Sequence, residues 1–252
     1  MDTRELRVNY PPAAEPMAST QSCEPDLMRV TALLLNWKRP DNLSVIIDRL
    51  RAQDIPVTIF LWNNNNLNQT NYPVDMQINS SQNLFCWPRW LMAGMVKDRY
   101  CFSLDDDFAP VYEDTLRQCC QYLTDRPDVD MMGYCGVKLR PDLNYWLSEH
   151  FKHPDPQQDK LVDIIKGRFI FARTSFFSTV PLLSRTRRCD DIVVSSCAKK
   201  KVLPSFMEGQ MEDLPAGDVG LEKNPTHKDI RDRETKLYFS GSDAHYNKKQ
   251  IP

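Results

Sequence analysis

No apolar run in this sequence is long enough to cross a bilayer. The longest, Val30 to Leu35 and Val57 to Trp62, are of strand length, whereas a membrane helix needs about 20 consecutive apolar residues. Residues 1–27 are polar, carry Pro11, Pro12, Pro16 and Pro25, and lack the apolar stretch of a signal peptide. A flexible proline-rich arm on a soluble, cytoplasmic protein is the expectation. The eight cysteines form no Cys-x-x-Cys and no Cys/His spacing of a zinc site. Reduced, buried thiols are expected, with a disulfide from Cys189 left open. Charge of one sign is lacking too: 32 Lys and Arg against 34 Asp and Glu leave −2, which gives no broad footprint for nucleic acid. There are no internal repeats.

What remains is a chain of 252 residues, long enough for a sizeable core and a deep cleft. Val30 to Leu35 reads as a strand buried on both faces. Leu43 to Ala52 sets Leu43, Ile46, Ile47 and Leu50 at the spacing of an amphipathic helix. Val57 to Trp62 is a second buried strand. Strand, helix, strand at this spacing is a βαβ unit with parallel strands. Met76 to Asn79 (strand), Trp87 to Met95 (helix), Tyr100 to Leu104 (strand), Leu116 to Leu123 (helix) and Val129 to Tyr134 (strand) continue the alternation. Strand material surrounds Gly167 over residues 161–173, and Ile192 to Lys199 reads as a helix. Residues 205–235, with weak periodicity, read as a surface loop or lid. The pattern predicts an α/β domain over residues 28–252, with a mainly parallel central sheet flanked by helices.

Ligands of such sheets bind beyond the carboxyl ends of the strands. Three polar clusters fall there: Asn36 to Asp41, Asn63 to Asn66, and Asp105 to Asp107. Three adjacent carboxylates repel one another unless a cation or hydrogen-bond donors neutralise them. A hard divalent ion does so while bridging to a diphosphate, and it steadies charge on a departing diphosphate. A solvated acidic turn is the competing reading; the position at the end of a buried strand favours a site. Asp190 and Asp191 precede the helix expected at Ile192. A helix N-cap accounts for one carboxylate there, and the second is left for general-base work, Asp191 ahead of Asp190.

Four segments in chain order carry a resemblance. They are Leu35-Asn36-Trp37-Lys38-Arg39-Pro40-Asp41-Asn42-Leu43, Phe60-Leu61-Trp62-Asn63-Asn64, Phe102-Ser103-Leu104-Asp105-Asp106-Asp107, and Cys189-Asp190-Asp191-Ile192. Together they resemble the C-terminal catalytic domain of the exostosin family, within the GT-A (nucleotide-diphospho-sugar transferase) fold. The resemblance implies a glycosyltransferase using a UDP-sugar, manganese (or magnesium) and a carbohydrate acceptor. It implies that Asn36, Trp37, Arg39, Asn63 and Asn64 hold the nucleotide, with Arg89 approaching the donor from the preceding segment. By the same resemblance Asp105 and Asp106 would contact ribose or sugar, and Asp107 would ligate the metal with Asp105 assisting. Gly167 resembles the glycine-led strand bordering the sugar pocket. Near the C-terminus, His245 is a candidate for the metal shell and Lys248 or Lys249 for the phosphates. Tyr145 and Trp146 are candidates to stack on an acceptor sugar, with core packing the competing use. His150, His153 and His227 are expected at the surface.

Two other readings stand beside this one. A sugar-phosphate nucleotidylyltransferase is expected to carry a glycine-rich phosphate loop after its first strand, and Asn36 to Pro40 contains no glycine. A nucleotide-sugar or glycan-binding module without turnover would not need the doubled Asp190-Asp191.

Overall fold

The computed structural model describes residues 28–65, 70–180, 188–217 and 226–240. The N-terminal arm, His245, Lys248 and Lys249 lie outside them. Order begins where apolar density begins. Strand β1 (Val30–Asn36) is buried at every position, as a strand covered on both faces must be. Pro40 opens helix α1 (Pro40–Arg51), at a position where its missing N–H is not needed. Leu43, Ile46, Ile47 and Leu50 turn inward along one stripe. The chain returns as β2 (Val57–Asn63), parallel to β1, with Asn36 opposite Asn63. Then come β3 (Met76–Asn79), α2 (Pro88–Ala93) and β4 (Tyr100–Leu104). β3 extends the sheet beyond β2, and β4 pairs with the other edge of β1. Each of these elements lies where the periodicity predicts it, with boundaries differing by less than a turn.

The second half is less regular. It contains β5 (Phe108–Pro110), α3 (Thr115–Asp125), β6 (Met131–Gly133), β7 (Gly136–Lys138), β8 (Glu149–Phe151), β9 (Lys160–Val162), β10 (Ile164–Ile165) and β11 (Phe169–Arg173). After these come α4 (Thr174–Phe177), α5 (Asp190–Cys197), β12 (Lys201–Leu203), a 3-10 turn (Ser205–Met207), β13 (Met211–Asp213) and α6 (His227–Phe239). The main sheet runs β3-β2-β1-β4-β11-β6-β12-β9, beside a three-stranded sheet β10-β7-β8 and a pair β13-β5. β11 lies antiparallel between β4 and β6. Phe102 of β4 packs against Phe169 and Phe171 of β11, with ring centroids 5.5 and 5.9 Å away. Gly133 has no room for a side chain: a Cβ there would fall 2.1 Å from Ile165 Cγ2 and 2.7 Å from the Phe169 carbonyl.

The expectation of a loop or lid over residues 205–235 is overturned in part. Its described residues hold the 3-10 turn, β13 and most of α6. Periodicity failed at α6 because its buried positions are polar: His227, Arg231, Glu234 and Thr235. The seven described cysteines, Cys189 among them, are free thiols. Among the described residues no helix is long and apolar enough to cross a membrane.

Candidate active site

β4 ends on Asp105-Asp106-Asp107, and the surrounding elements supply donors to all three. Asp105 donates its N–H to the Arg168 carbonyl at 3.1 Å and accepts from Arg89 Nη2 at 2.8 Å. Asp106 points inward and is 9% exposed. One of its oxygens accepts the Trp37 N–H at 3.0 Å, and the other forms a short ion pair with Arg39. Burial pushes the Asp106 carboxyl up to about 6, against the opposing pull of Arg39. Asp107 lies 3.3 Å from the same guanidinium. Asn42 fastens the turn from below, donating to the Asp106 carbonyl at 3.0 Å and to the Pro215 carbonyl at 2.8 Å. Arginines and backbone donors thus neutralise the triplet.

Those contacts decide which groups suit a metal ion. Asp106 has both oxygens engaged. Asp105 and Asp107 are more open, with side chains 32% and 21% exposed. Among the described residues no three His, Cys, Asp or Glu side chains converge on one point. Two carboxylates fit a hard ion that takes its remaining ligands from water and a diphosphate.

The second acidic group opens α5. The N-cap residue is Cys189, with no side-chain cap bond, so neither Asp190 nor Asp191 is the N-cap. Asp190 Oδ2 accepts from Trp90 Nε1 at 2.8 Å and lies 3.5 Å from Arg89 Nε. Burial raises the Asp190 carboxyl above the usual carboxylate range, Arg89 opposing and Asp191 adding to the rise. Asp191 is held by Arg231 of α6 through two parallel bonds, 3.1 Å to Oδ1 and 2.7 Å to Oδ2, the forked geometry arginine makes with carboxylates. Its Oδ1 also accepts the Ile192 N–H at 3.0 Å. Arg231 in turn donates to the Tyr145 hydroxyl at 2.8 Å and lies over that ring.

Arg89 connects the two groups. Predicted to reach a donor, it is instead 1% exposed and fully committed inside the protein. Besides Asp105 and Asp190 it binds the Cys86 and Gly167 carbonyls, each at 3.1 Å. It is the wall shared by both acidic groups. Gly167 lies against the second acidic group: a Cβ on it would lie 3.7 Å from Asp191 Cβ.

The asparagines at the strand ends also turn inward. Asn36 donates to Asn63 at 3.0 Å and Asn63 to Asn79 at 3.1 Å. Asn64 holds the segment before α2, donating to the Phe85 carbonyl at 2.9 Å and accepting the Leu84 N–H at 3.0 Å. They brace the carboxyl edge of the sheet; Trp37 and Arg39 are the half-buried side chains beside it. Tyr145 is a core residue, while Trp146 sits at the surface. Of the three histidines expected at the surface, His153 is exposed, His150 half-buried and His227 buried. His150 contacts the Tyr145 carbonyl at 2.8 Å, His153 the Tyr134 hydroxyl at 3.3 Å, and buried His227 lies edge-on to Trp146. Arg231 is the residue that sequence reasoning missed. Its signal, one arginine in a charged helix, is indistinguishable from a solvated face.

Two cavities of about 460 and 470 Å³ open at the opposite, amino ends of β1, β2 and β4, lined by Arg29, Asp75 and Asp98 among others. They lie away from both acidic groups.

No family model and no curated protein sequence matches the chain. Solved structures do. The chain is similar to S. aureus TarS 1–349 in complex with UDP-GlcNAc, with a TM-score of 0.59 and 11% identity over 83% of this chain and 66% of that one. It is similar to TarS 1–349 in another structure, with a TM-score of 0.52 and 13% identity over 89% of this chain and 76% of that one. The TarS 1–349 complex with UDP gives a TM-score of 0.50 and 12% identity over 71% of this chain and 58% of that one. Identity this low speaks for the fold, which is the GT-A type expected from the sequence.

Proposed function

We propose that this chain is a glycosyltransferase that moves a sugar from a UDP-linked donor to a hydroxyl of a glycan or glycoside. The exostosin-like character of its motifs and a single catalytic domain over residues 28–252 belong to the same proposal. The observation that carries it is Arg89, which touches Asp105 and Asp190 at once. That shared contact supports reading the acidic turn and the carboxylates of α5 as one site at the carboxyl edge of the sheet, where open α/β sheets take their ligands. The likeness to a fold that holds UDP-GlcNAc supports the choice of donor.

In this reading the nucleotide lies against Trp37 and Arg39, on the edge braced by Asn36, Asn63 and Asn64. Asp107 and Asp105 would hold manganese or magnesium, which would offset the charge gathering on the departing diphosphate. Asp106 keeps Arg39 and the Trp37 backbone in place. Asp191 is the base. Its Oδ2 accepts from Arg231 alone among the described residues, so a lone pair remains for the acceptor hydroxyl. That oxygen takes the proton as the hydroxyl oxygen bonds to the anomeric carbon and the bond to the diphosphate breaks. Asp190, enclosed by Trp90 and Arg89, shapes the pocket.

Release of UDP from a panel of UDP-sugars, with and without manganese, tests the proposal. Manganese-dependent release is expected, and Asp107→Ala is expected to abolish it with the fold intact. Turnover of a nucleoside triphosphate with a sugar phosphate favours the nucleotidylyltransferase reading. Donor binding without release favours a binding module. Unchanged turnover in Asp107→Ala removes the metal assignment.

A further inference from the structure

One lysine in the turn beside the two acidic groups pairs with no other described residue through its ammonium. Lys166 is half-buried in the turn between β10 and β11, which also carries Gly167 and Arg168. The turn stands between the two acidic groups. The Gly167 carbonyl accepts from Arg89, the Arg168 carbonyl accepts the Asp105 N–H, and Gly167 abuts Asp191. The Lys166 backbone is fixed by an N–H bond to the Cys135 carbonyl at 2.9 Å. Its ammonium, by contrast, makes no hydrogen bond or ion pair with any described residue.

The groups that act on that ammonium are Cys135, Arg231, Asp191 and Arg168. Cys135 and Asp191 favour its charge, and Arg231 and Arg168 oppose it. Asp191 is engaged by both arms of Arg231. Arg168 is paired with Asp213 and lies 4.2 Å from the Phe108 ring centroid. Burial pushes the Cys135 thiol up to about 11, so it is neutral at physiological pH. Burial, with Arg231 and Arg168 adding to it, pulls Lys166 below the usual lysine value, against Cys135 and Asp191. A half-buried ammonium beside two arginines is relieved by an incoming anion, and lysine is a point-charge phosphate binder.

We propose that Lys166 binds a phosphate oxygen of a substrate, beside Asp191. This deepens the glycosyltransferase reading and rests on it. The phosphate belongs either to the donor's diphosphate or to a phosphate-bearing acceptor, and the two sources separate in one experiment. The full chain and its Lys166→Met and Lys166→Arg variants are titrated calorimetrically with UDP, inorganic pyrophosphate and uridine. The UDP-saturated proteins are then titrated with glycerol 1-phosphate. A loss of about tenfold in affinity for UDP and pyrophosphate in Lys166→Met, with uridine unchanged and Lys166→Arg close to wild type, assigns the donor's diphosphate. The same loss confined to glycerol 1-phosphate assigns the acceptor. Lys166→Gln repeats the test if the Met variant does not fold. Equal affinities for every phosphate probe in wild type and variant, or no binding of any of them, overturn the proposal. A wild-type chain that neither binds UDP nor releases it from UDP-sugars ends the glycosyltransferase reading. One that does both, with Lys166→Met indistinguishable from it, ends this inference alone.

Discussion

Asp190 and Asp191 are neighbours in sequence and both buried, yet the fold gives them different partners. Asp190 is closed in by an indole N–H and a guanidinium on one oxygen, which suits a wall. Asp191 faces a single arginine across both oxygens, which suits a carboxylate held in one orientation. Changing Asp191 to Asn preserves shape but removes the proton acceptor. Transfer is expected to fall by about 10²–10⁴-fold, with UDP affinity near wild type by calorimetry; full transfer would remove Asp191 as the base. At this scale the sequence was informative about position more than about task. Arg39 was expected to hold the nucleotide, and its pairing with Asp106 and Asp107 joins two segments that are separate in sequence. Arg89 was legible as a residue near the site, but its enclosure was not. Gly167 and Asp190, which close it in, are brought there only by β11 and α5.

Elements show the same boundary between local and long-range information. α1, β1, β2 and β4 announce themselves by apolar stripes or runs. α6 does not, because the side chains it buries are polar. It docks through Arg231 on Asp191, through Asp232 on the Tyr145 N–H at 2.9 Å, and through Ile230, Tyr238 and Phe239 against the cluster around Val137 and Ile164. Replacing Arg231 by Met would leave Asp191 buried without its partner, which is expected to cost about 3–5 kcal/mol in urea unfolding. A change below about 1 kcal/mol would mean that α6 is held by its apolar contacts alone. A second junction joins α3, β9 and the 3-10 turn at Asp159. Burial acts against its charge, but donors from Tyr122 at 2.6 Å and the Ser205 N–H at 2.9 Å, helped by Arg126, prevail and lower its pKa. The folded state therefore binds this proton less readily than the unfolded one. The stabilisation is complete above the ordinary aspartate range and fades as pH falls through the folded value. Asp159→Asn is expected to cost about 1–3 kcal/mol at neutral pH, with the gap narrowing as pH is lowered toward 3; a pH-independent gap would contradict the assignment.

Over the whole molecule, the parallel half of the sheet followed from sequence because each βαβ unit is a local object. The insertion of β11 between β4 and β6 did not, since pairing across the chain leaves no periodic trace. Charge balance is also a property of the assembled fold. Each carboxylate of Asp105, Asp106, Asp107, Asp190 and Asp191 has an arginine within ion-pair distance. These arginines come from the β1–α1 loop, α2 and α6. The acidic cluster therefore does not depend on a divalent ion to fold, although two of its members remain suited to holding one together with a diphosphate. Thermal unfolding separates these roles. A chelator is expected to leave the midpoint of the free chain unchanged, and manganese alone to add little. Manganese with UDP at about a hundredfold excess over its dissociation constant is expected to stabilise by about 2.7 kcal/mol, a rise of roughly 5–10 °C for a chain of this length. UDP without the ion should fall well short of that. If manganese alone produced the full rise, the ion site would already be complete in the free protein, and the arginines would be its neighbours instead of its substitutes.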